Sequence, residues 1–239
     1  MTFPPPETPV PARVRALAGG DSLVPAWRNE RGGLTFRAGD RYIKWIRRDV
    51  EIDLAGEAAR LEWAARFTRV PRVVTHGGDA REEWLVTRAL PGWSAVSEPA
   101  LADPAVAVRA VGEGLRALHD TLPVAECPWD WGVPARIAAA TERGVRVPDA
   151  LRVAPPIDRL VVCHGDACCP NTLLDEDGWT AHVDLGSLGV ADRWADIAVA
   201  AMSTVWNYGP GWEDALVEAY GVRPDRERMA YYQALWNAT

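Results

Sequence analysis

The sequence predicts an α+β protein of two lobes, a small β-rich lobe over residues 1–90 and a larger α-rich lobe over residues 91–239. Short runs of β-branched and aromatic residues, separated by turn residues, fill much of the first third. Apolar residues at three- and four-residue steps dominate the rest, as in amphipathic helices. Pro91-Gly92 separates the two patterns and marks a hinge near residues 88–93.

Four strands and one helix are expected in the first lobe. The helix is predicted over residues 53–66, because Leu54, Ala58 and Leu61 recur on one helical face. Gly39 and Asp40 form a hairpin turn between the first two strands. The β-prone runs cover residues 34–37, 41–46, 70–75 and 84–89.

The second lobe is predicted to be mostly helical around short strands. Asp103 is a good N-cap for a helix that has Pro104 in its first turn. Prolines interrupt residues 133–158, where no element is predicted. Strands are expected over residues 160–163, 172–174 and 181–183, and helices follow from Asp192 onward.

Composition excludes several classes of protein. The 239 residues are 48% hydrophobic and 25% charged, which is globular rather than disordered composition. A net charge of −7 gives no basic field for a nucleic-acid partner, and no apolar run approaches the roughly 20 residues that cross a bilayer. Four cysteines at this length do not indicate a disulfide scaffold, so a reduced, cytoplasmic protein is expected. The oligomeric state has no signature in the sequence.

The segment that contains the short strands predicted over residues 160–163, 172–174 and 181–183 carries the chemistry. Asp166 follows His164-Gly165, Asn171 lies five positions later, and Asp184 opens an Asp-Leu-Gly after a strand. This is the order of the catalytic and metal-binding loops in protein kinases. Phosphoryl transfer needs a carboxylate beside the attacking hydroxyl, which is the role expected of Asp166, and oxygen ligands for Mg²⁺, expected of Asn171 and Asp184. The alternative is that the three residues are turn and cap residues at strand ends.

A lysine and a glutamate in the first lobe agree with this hypothesis. Lys44 lies among apolar residues of a predicted strand and needs an anionic partner. Glu57 shares a helical face with Leu54 and Leu61, so its carboxylate is expected to face the sheet. In kinases such a pair orients the α- and β-phosphates of the nucleotide. A purely structural ion pair is the alternative.

Several motifs together resemble the aminoglycoside phosphotransferases, kinase-like enzymes of bacterial antibiotic resistance, and in particular their 3′-phosphotransferase branch. The resemblance runs from about Trp27 to Trp236. The motifs that carry it are Gly56-Glu57-Ala58-Ala59-Arg60-Leu61, Cys127-Pro128-Trp129-Asp130, His164-Gly165-Asp166-Ala167-Cys168, Pro170-Asn171, Asp184-Leu185-Gly186 and Leu188-Gly189-Val190-Ala191-Asp192-Arg193.

The resemblance implies a two-lobed protein-kinase-like fold with Mg²⁺ as cofactor and ATP or GTP as co-substrate. It places the nucleotide at the hinge, on backbone groups of Thr87, Arg88 and Ala89, and makes Asp196 a structural acid that braces the catalytic loop. The expected function is O-phosphorylation of a small hydroxylated molecule, with an aminoglycoside as the leading acceptor. A macrolide, a peptide antibiotic or a metabolite is an alternative acceptor, and a non-catalytic nucleotide-binding module is an alternative function.

Three further patterns have two interpretations each. His164 is expected to brace the loop rather than to carry protons. Residues 29–33 lie where a phosphate-covering loop belongs but lack Gly-x-Gly-x-x-Gly, so a simple hairpin turn is an alternative. The Cys163, Cys168 and Cys169 thiols, with His164, match no usual zinc spacing and are expected to be buried thiols.

Overall fold

The structure is a computed structural model that describes residues 4–29, 31–48 and 52–239. The chain divides into two compact units. The N-terminal unit comprises Met1–Arg66 with Val70–Leu90, and the C-terminal unit comprises Pro91–Thr239 with Phe67–Arg69. Helices and antiparallel strands occur in both, so the α+β class is confirmed. None of the described helices combines the length and apolar character that a membrane span requires.

The N-terminal unit is built on a five-stranded antiparallel sheet in the order β1-β2-β3-β5-β4. Its elements, in chain order, are α1 (Ala12–Ala18), β1 (Leu23–Arg28), β2 (Leu34–Ala38), β3 (Arg41–Arg47), α2 (Leu54–Ala64), β4 (Val73–Gly78) and β5 (Glu82–Arg88).

The alternation of side chains along β3 places a charged residue on one buried face. Ile43 belongs to the core that Val14 of α1 and Phe36 of β2 also form. Lys44 therefore points to the opposite face, where its register partner Leu85 is buried. Helix α2 begins after the N-cap Asp53, whose side chain accepts a hydrogen bond from Gly56 N.

Two features of this unit differ from the sequence prediction. Helix α1 and strand β1 were not predicted, because α1 is only seven residues long and shows one buried valine, Val14, in its apolar pattern. Strand β4 begins at Val73 and continues through Gly77 and Gly78, beyond residue 75, where the predicted strand ends. Gly77 is opposite Trp84, whose ring lies 2.8 Å from the position that a β-carbon would take. The glycine is therefore a packing site for an indole rather than a turn residue.

The C-terminal unit surrounds a central helix with two small antiparallel sheets, β10-β7 and β6-β8-β9. Its elements are β6 (Trp93–Ser94), α3 (Glu98–Ala102), α4 (Pro104–Thr121), α5 (Val133–Glu142), β7 (Leu160–Cys163), β8 (Thr172–Asp175), β9 (Gly178–His182), β10 (Gly189–Asp192), α6 (Trp194–Tyr208), α7 (Glu213–Tyr220) and α8 (Arg226–Ala238).

Helix α4 is the centre of this unit because two glycines let neighbours approach it closely. A β-carbon at Gly112 would lie 2.7 Å from Leu216 O and 3.0 Å from Tyr220 N of α7. A β-carbon at Gly114 would lie 2.3 Å from the indole of Trp179 in β9. The helix axis is therefore held against α7 on one side and against β9 on another, at distances that alanine would not allow.

Strand β9 carries a histidine that makes folding sensitive to acid. His182 is buried and its Nε2 donates to Gly114 O at 3.1 Å. Burial, with a further contribution from the neighbouring His164, lowers the pKa of His182 from 6.5 to about 3. Between these two pH values the unfolded chain binds a proton that the folded chain does not, so this contribution to stability is complete above pH 6.5 and is lost as pH falls.

We expect His182→Gln to reduce this acid sensitivity, because a glutamine amide can still donate to Gly114 O but does not titrate. Below pH 6 the free energy of unfolding of the wild-type chain should fall more steeply than that of the variant, with a difference in slope of up to about 1.4 kcal/mol per pH unit. Urea unfolding at pH 7, 6 and 5 measures both slopes. Parallel slopes for the two proteins would contradict the assignment.

Candidate active site

Lys44 and Glu57 form an ion pair within the N-terminal unit. The Lys44 Nζ lies 2.5 Å from Glu57 Oε1. The glutamate side chain is 5% exposed and the lysine side chain 24% exposed, so the pair is anchored on the helix side and reaches solvent on the lysine side. Strand β3 and helix α2 thus bring together the two charged side chains whose pairing was predicted from the sequence.

The backbone at the end of β5 is already hydrogen-bonded within the N-terminal unit. Arg88 N donates to Arg72 O at 2.8 Å, and Ala89 N donates to Asp40 O at 2.8 Å. The Arg88 guanidinium pairs with the Asp40 carboxylate, and Thr87 is buried. These two N–H groups are therefore committed to the protein, and any contact that this segment makes with a nucleotide base must use other groups.

Asp166 lies on the loop between β7 and β8, next to a histidine that orders the loop. His164 Nε2 donates to Val183 O at 2.9 Å, because a carbonyl only accepts. Its Nδ1 accepts from Asp166 N at 3.2 Å. Both ring nitrogens are thereby used within the protein, which agrees with the expectation that His164 braces the loop.

Asn171 connects this loop to the segment that follows β9. Its Nδ2 donates to Asp166 O at 2.9 Å, and its backbone carbonyl accepts from Val183 N at 3.0 Å. Among the described residues none donates to the Asn171 side-chain oxygen. The amide orientation therefore leaves an oxygen ligand available beside Asp166 and next to Val183-Asp184.

Asp184 has a backbone conformation that few residues adopt. Its φ is 65°, and it is the non-glycine residue with a positive φ in the described chain. Aspartate and asparagine tolerate this left-handed conformation better than other side chains, but it still costs free energy. Conformations of this kind concentrate at functional sites.

Asp166 and Asp184 influence each other electrostatically. Burial raises the pKa of Asp166 above its usual value, and the Asp184 carboxylate raises it further, while hydrogen bonds from Cys168 and Asn171 oppose the shift. The Asp166 residue is partly exposed, but its Oδ1 is enclosed and has no hydrogen-bond partner among the described residues. An enclosed carboxylate oxygen beside a second carboxylate is an arrangement that a cation would stabilise.

Two loops of the site touch at a glycine. Gly165 has φ +84°, and a β-carbon there would lie 2.1 Å from Ser187 O, in the segment that follows Asp184-Leu185-Gly186. Only glycine allows the backbone of the Asp166 loop to lie directly against the backbone of the Asp184 loop.

Asp196, on α6, holds the backbone of the same loop through two hydrogen bonds. It accepts from His164 N at 2.5 Å and from Gly165 N at 3.0 Å. Burial alone would raise the pKa of Asp196, but hydrogen bonds and the nearby His119 and His164 lower it below its usual value. The charged form of this buried carboxylate is therefore the one that the loop stabilises.

Residues 32–232 match the sequence model of the phosphotransferase enzyme family. The chain belongs to this family. The match spans both units and includes Lys44, Glu57, Asp166, Asn171 and Asp184.

Known relatives support the same conclusion. The enzyme is 42% identical to the aminoglycoside 3′-phosphotransferase of Streptomyces fradiae, over 77% of this chain and 78% of that protein. Its structure is similar to that of the aminoglycoside-3′-phosphotransferase of type VIII, with a TM-score of 0.75 and 31% identity over 95% and 97% of the two chains. It is also similar to the aminoglycoside phosphotransferase APH(3″)-Id from Streptomyces rimosus in complex with ADP and streptomycin, with a TM-score of 0.71 and 26% identity over 95% and 96%.

These similarities confirm the resemblance seen in the sequence and the kinase-like fold. The protein is an enzyme, a phosphotransferase with a hydroxyl group as acceptor. The roles of individual residues remain predictions, and they are taken up below as parts of a proposal.

Sequence reasoning missed the residues that hold the turn before Asn171 in this phosphotransferase. Ser203 of α6 accepts from Cys169 N at 2.9 Å, and Ser94 of β6 donates to Pro170 O at 2.9 Å. The Tyr208 hydroxyl donates to Ala95 O. Polar side chains such as these have no distinguishing pattern, because their partners are backbone atoms far away in sequence.

Three of the four cysteines, Cys163, Cys168 and Cys169, are buried free thiols. Burial raises the pKa of the Cys163 and Cys168 thiols well above the usual value, and that of Cys169 to about 11. Both ring nitrogens of His164 are used in hydrogen bonds within the protein, so this histidine offers no nitrogen to a zinc ion. Within the described ranges, His119, Cys163 and Asp196 do have ligand atoms within 4.8 Å of one another, but Asp196 is occupied with hydrogen bonds from backbone and imidazole.

The loop between β1 and β2 is organised by an asparagine. Asn29 Oδ1 accepts from Gly33 N at 2.7 Å and from Arg31 N at 3.1 Å, and Gly32 has φ +85°. Glu30, which belongs to the expected phosphate-covering loop, lies outside the described residues. The described part is a side-chain-capped hairpin loop.

Proposed function

We propose that this phosphotransferase transfers the γ-phosphoryl group of a nucleoside triphosphate, ATP or GTP, to a hydroxyl group of an aminoglycoside. The observation that carries the proposal is the arrangement around Asp166. One oxygen of the Asp166 carboxylate is enclosed and has no hydrogen-bond partner among the described residues. The carboxylate of Asp184 lies near it, and the Asn171 side chain holds the Asp166 loop. A structural cluster of turn residues would have its polar atoms paired.

The C-terminal unit offers ligands that fit a magnesium ion. Asn171 and Asp184 supply the oxygen atoms that Mg²⁺ prefers, and the enclosed Asp166 oxygen beside a second carboxylate is an arrangement that a cation would stabilise. When bound, the ion would neutralise charge that develops on the phosphate oxygens.

Asp166 is the proposed base. Its carboxylate accepts the proton of the acceptor hydroxyl while that oxygen bonds to the γ-phosphorus and the bond from phosphorus to the β-γ bridging oxygen breaks. The products are the phosphate ester and the nucleoside diphosphate. A pKa raised by burial makes Asp166 a better proton acceptor than an ordinary aspartate, which supports this role.

In the N-terminal unit, Lys44 is the proposed ligand of the α- and β-phosphates, and Glu57 holds its ammonium group. We expect Lys44→Met to raise the KM for the nucleotide and lower kcat, with a combined loss in kcat/KM of about 10²-fold. Glu57→Gln should have the same effect to a smaller degree, because the amide can still accept a hydrogen bond from lysine.

Arg47→Met is the matched control for Lys44→Met, since it removes an exposed cation from the same strand. Steady-state kinetics with the nucleotide varied would measure all three variants. Equal losses for Lys44→Met and Arg47→Met would show that Lys44 has no specific role.

The choice of an aminoglycoside as acceptor rests on the net charge of the chain and on its similarity to a known enzyme. A net charge of −7 suits a polycationic acceptor, and the relative at 42% identity is an aminoglycoside 3′-phosphotransferase. The test is release of nucleoside diphosphate in the presence of an aminoglycoside that has a 3′-hydroxyl, its 3′-deoxy analogue, and streptomycin, each with ATP and with GTP.

Turnover that requires the 3′-hydroxyl would support the proposal in its 3′ form. Turnover on streptomycin alone would assign the acceptor of the Streptomyces rimosus neighbour instead. Turnover only on a macrolide, a peptide antibiotic or a metabolite would overturn the aminoglycoside assignment, and nucleotide binding without turnover on any acceptor would overturn the catalytic one.

A further inference from the structure

A chain of buried hydrogen bonds leads from α7 to the loop that holds Asp166. The Tyr220 hydroxyl is 2.8 Å from His119 Nδ1, and His119 Nε2 is 3.0 Å from Asp196 Oδ2. The same Asp196 oxygen accepts from His164 N at 2.5 Å, and its other oxygen accepts from Gly165 N at 3.0 Å. His119, Tyr220 and Asp196 are each at most 3% exposed.

The imidazole is held in one orientation by both neighbours. The His119 and Tyr220 rings meet edge to face, with centroids 5.5 Å apart and an interplanar angle of 68°. Since the Asp196 carboxylate only accepts, His119 Nε2 carries a hydrogen, and the tyrosine hydroxyl fixes the ring from the opposite side. Among the described residues, the Tyr220 hydroxyl is the hydrogen-bond partner that holds His119 Nδ1 in place.

The position of Tyr220 depends in turn on the close approach of two helices. A β-carbon at Gly112 of α4 would lie 3.0 Å from Tyr220 N, so the glycine allows α7 to approach α4 closely at Tyr220. His119 is on the same helix two turns later. The helix pair therefore sets the distance between tyrosine and imidazole.

We propose that Tyr220 and His119 are positioning residues for phosphoryl transfer: they fix Asp196, and Asp196 fixes the backbone of His164 and Gly165 that aims Asp166. They touch neither substrate nor nucleotide in this role. The effect of this positioning on catalysis rests on the proposed function of Asp166. Its effect on the loop backbone is independent of that function. A small displacement of a reacting group is costly, because catalysis depends on geometry of about 1 Å.

The test compares Tyr220→Phe with Tyr232→Phe. The first removes only the hydroxyl that contacts His119, and the second removes a hydroxyl from another buried tyrosine in the same unit, on α8. For Tyr220→Phe we expect kcat to fall about tenfold, with KM for nucleotide and acceptor unchanged. For Tyr232→Phe kcat should stay at the wild-type value.

Two histidine variants separate the two contacts of the ring. Glutamine at 119 can place an amide donor near the Nε2 position and keep Asp196 paired, while asparagine can reach only the Nδ1 position and Tyr220. We therefore expect His119→Gln to retain more kcat than His119→Asn. The reverse order would overturn the proposed direction of the chain, from Tyr220 through His119 to Asp196.

Hydrogen exchange of the loop amides gives a readout that does not depend on activity. The amide hydrogens of His164 and Gly165 are bound to Asp196, and in Tyr220→Phe they should exchange at least about tenfold faster than in the wild-type chain and in Tyr232→Phe. Unchanged exchange and unchanged kcat would overturn the inference. A wild-type chain with no turnover but with the expected exchange pattern would count against the proposed function and leave the positioning role standing.

Discussion

Asp166→Asn is expected to reduce turnover by about 10³-fold, because the amide cannot accept the proton of the attacking hydroxyl. The change keeps the size of the side chain and removes a charge that burial and Asp184 already disfavour. The folded protein should therefore be as stable as the wild type or more so, and its midpoint of thermal unfolding should not fall. Single-turnover phosphate transfer and a thermal melt measure the two effects.

Asp177→Asn provides the control for this prediction, as it removes an exposed carboxylate from the turn between β8 and β9. Nucleotide affinity, measured by calorimetry, should stay within about threefold of the wild-type value in both variants. A variant at 166 that keeps more than a tenth of wild-type turnover would mean that another group accepts the proton.

Gly165→Ala is expected to cost both stability and activity. An added β-carbon would lie 2.1 Å from Ser187 O, which is backbone and cannot rotate away, and the φ of +84° is itself unfavourable for alanine. The two loops would have to separate, so we expect a loss of at least about 3 kcal/mol in the free energy of unfolding. Asp166 and Asp184 would move apart with them, and turnover should be undetectable.

Gly144→Ala isolates the conformational part of that loss. Gly144 has φ +75°, yet nothing lies within 4 Å of its prospective β-carbon. Its replacement should cost only about 1 kcal/mol in urea unfolding and leave kcat unchanged. If both substitutions cost the same, the close contact between the two loops would have no energetic weight.

The residues that the structure brings together were largely predictable from the sequence, because phosphoryl transfer restricts residue type and spacing, while their catalytic roles stay predictions. Asp166, Asn171 and Asp184 stand in a fixed order around two short strands, and Lys44 and Glu57 were predicted to pair from the face each occupies. Such arguments depend on local periodicity and on the cost of burying a charge. They do not require knowledge of the tertiary fold.

The residues that support the chemistry were harder to find. His119 ends the apolar stripe of α4 and looks like any core histidine, since its partners Asp196 and Tyr220 are 77 and 101 positions away. Helix α5 was also not predicted, as prolines after it obscure its pattern. Contacts between distant segments leave no periodic trace in a single sequence.

The left-handed backbone of Asp184 affects how this position should be probed. Replacing it by alanine would alter two things at once, the carboxylate and the conformational preference of the chain, so a loss of activity would have no unique cause. Asparagine shares aspartate's tolerance for positive φ and differs from it only in charge and in one donor group. At this residue the conservative exchange is the more informative one, and an alanine scan would overstate the weight of the side chain.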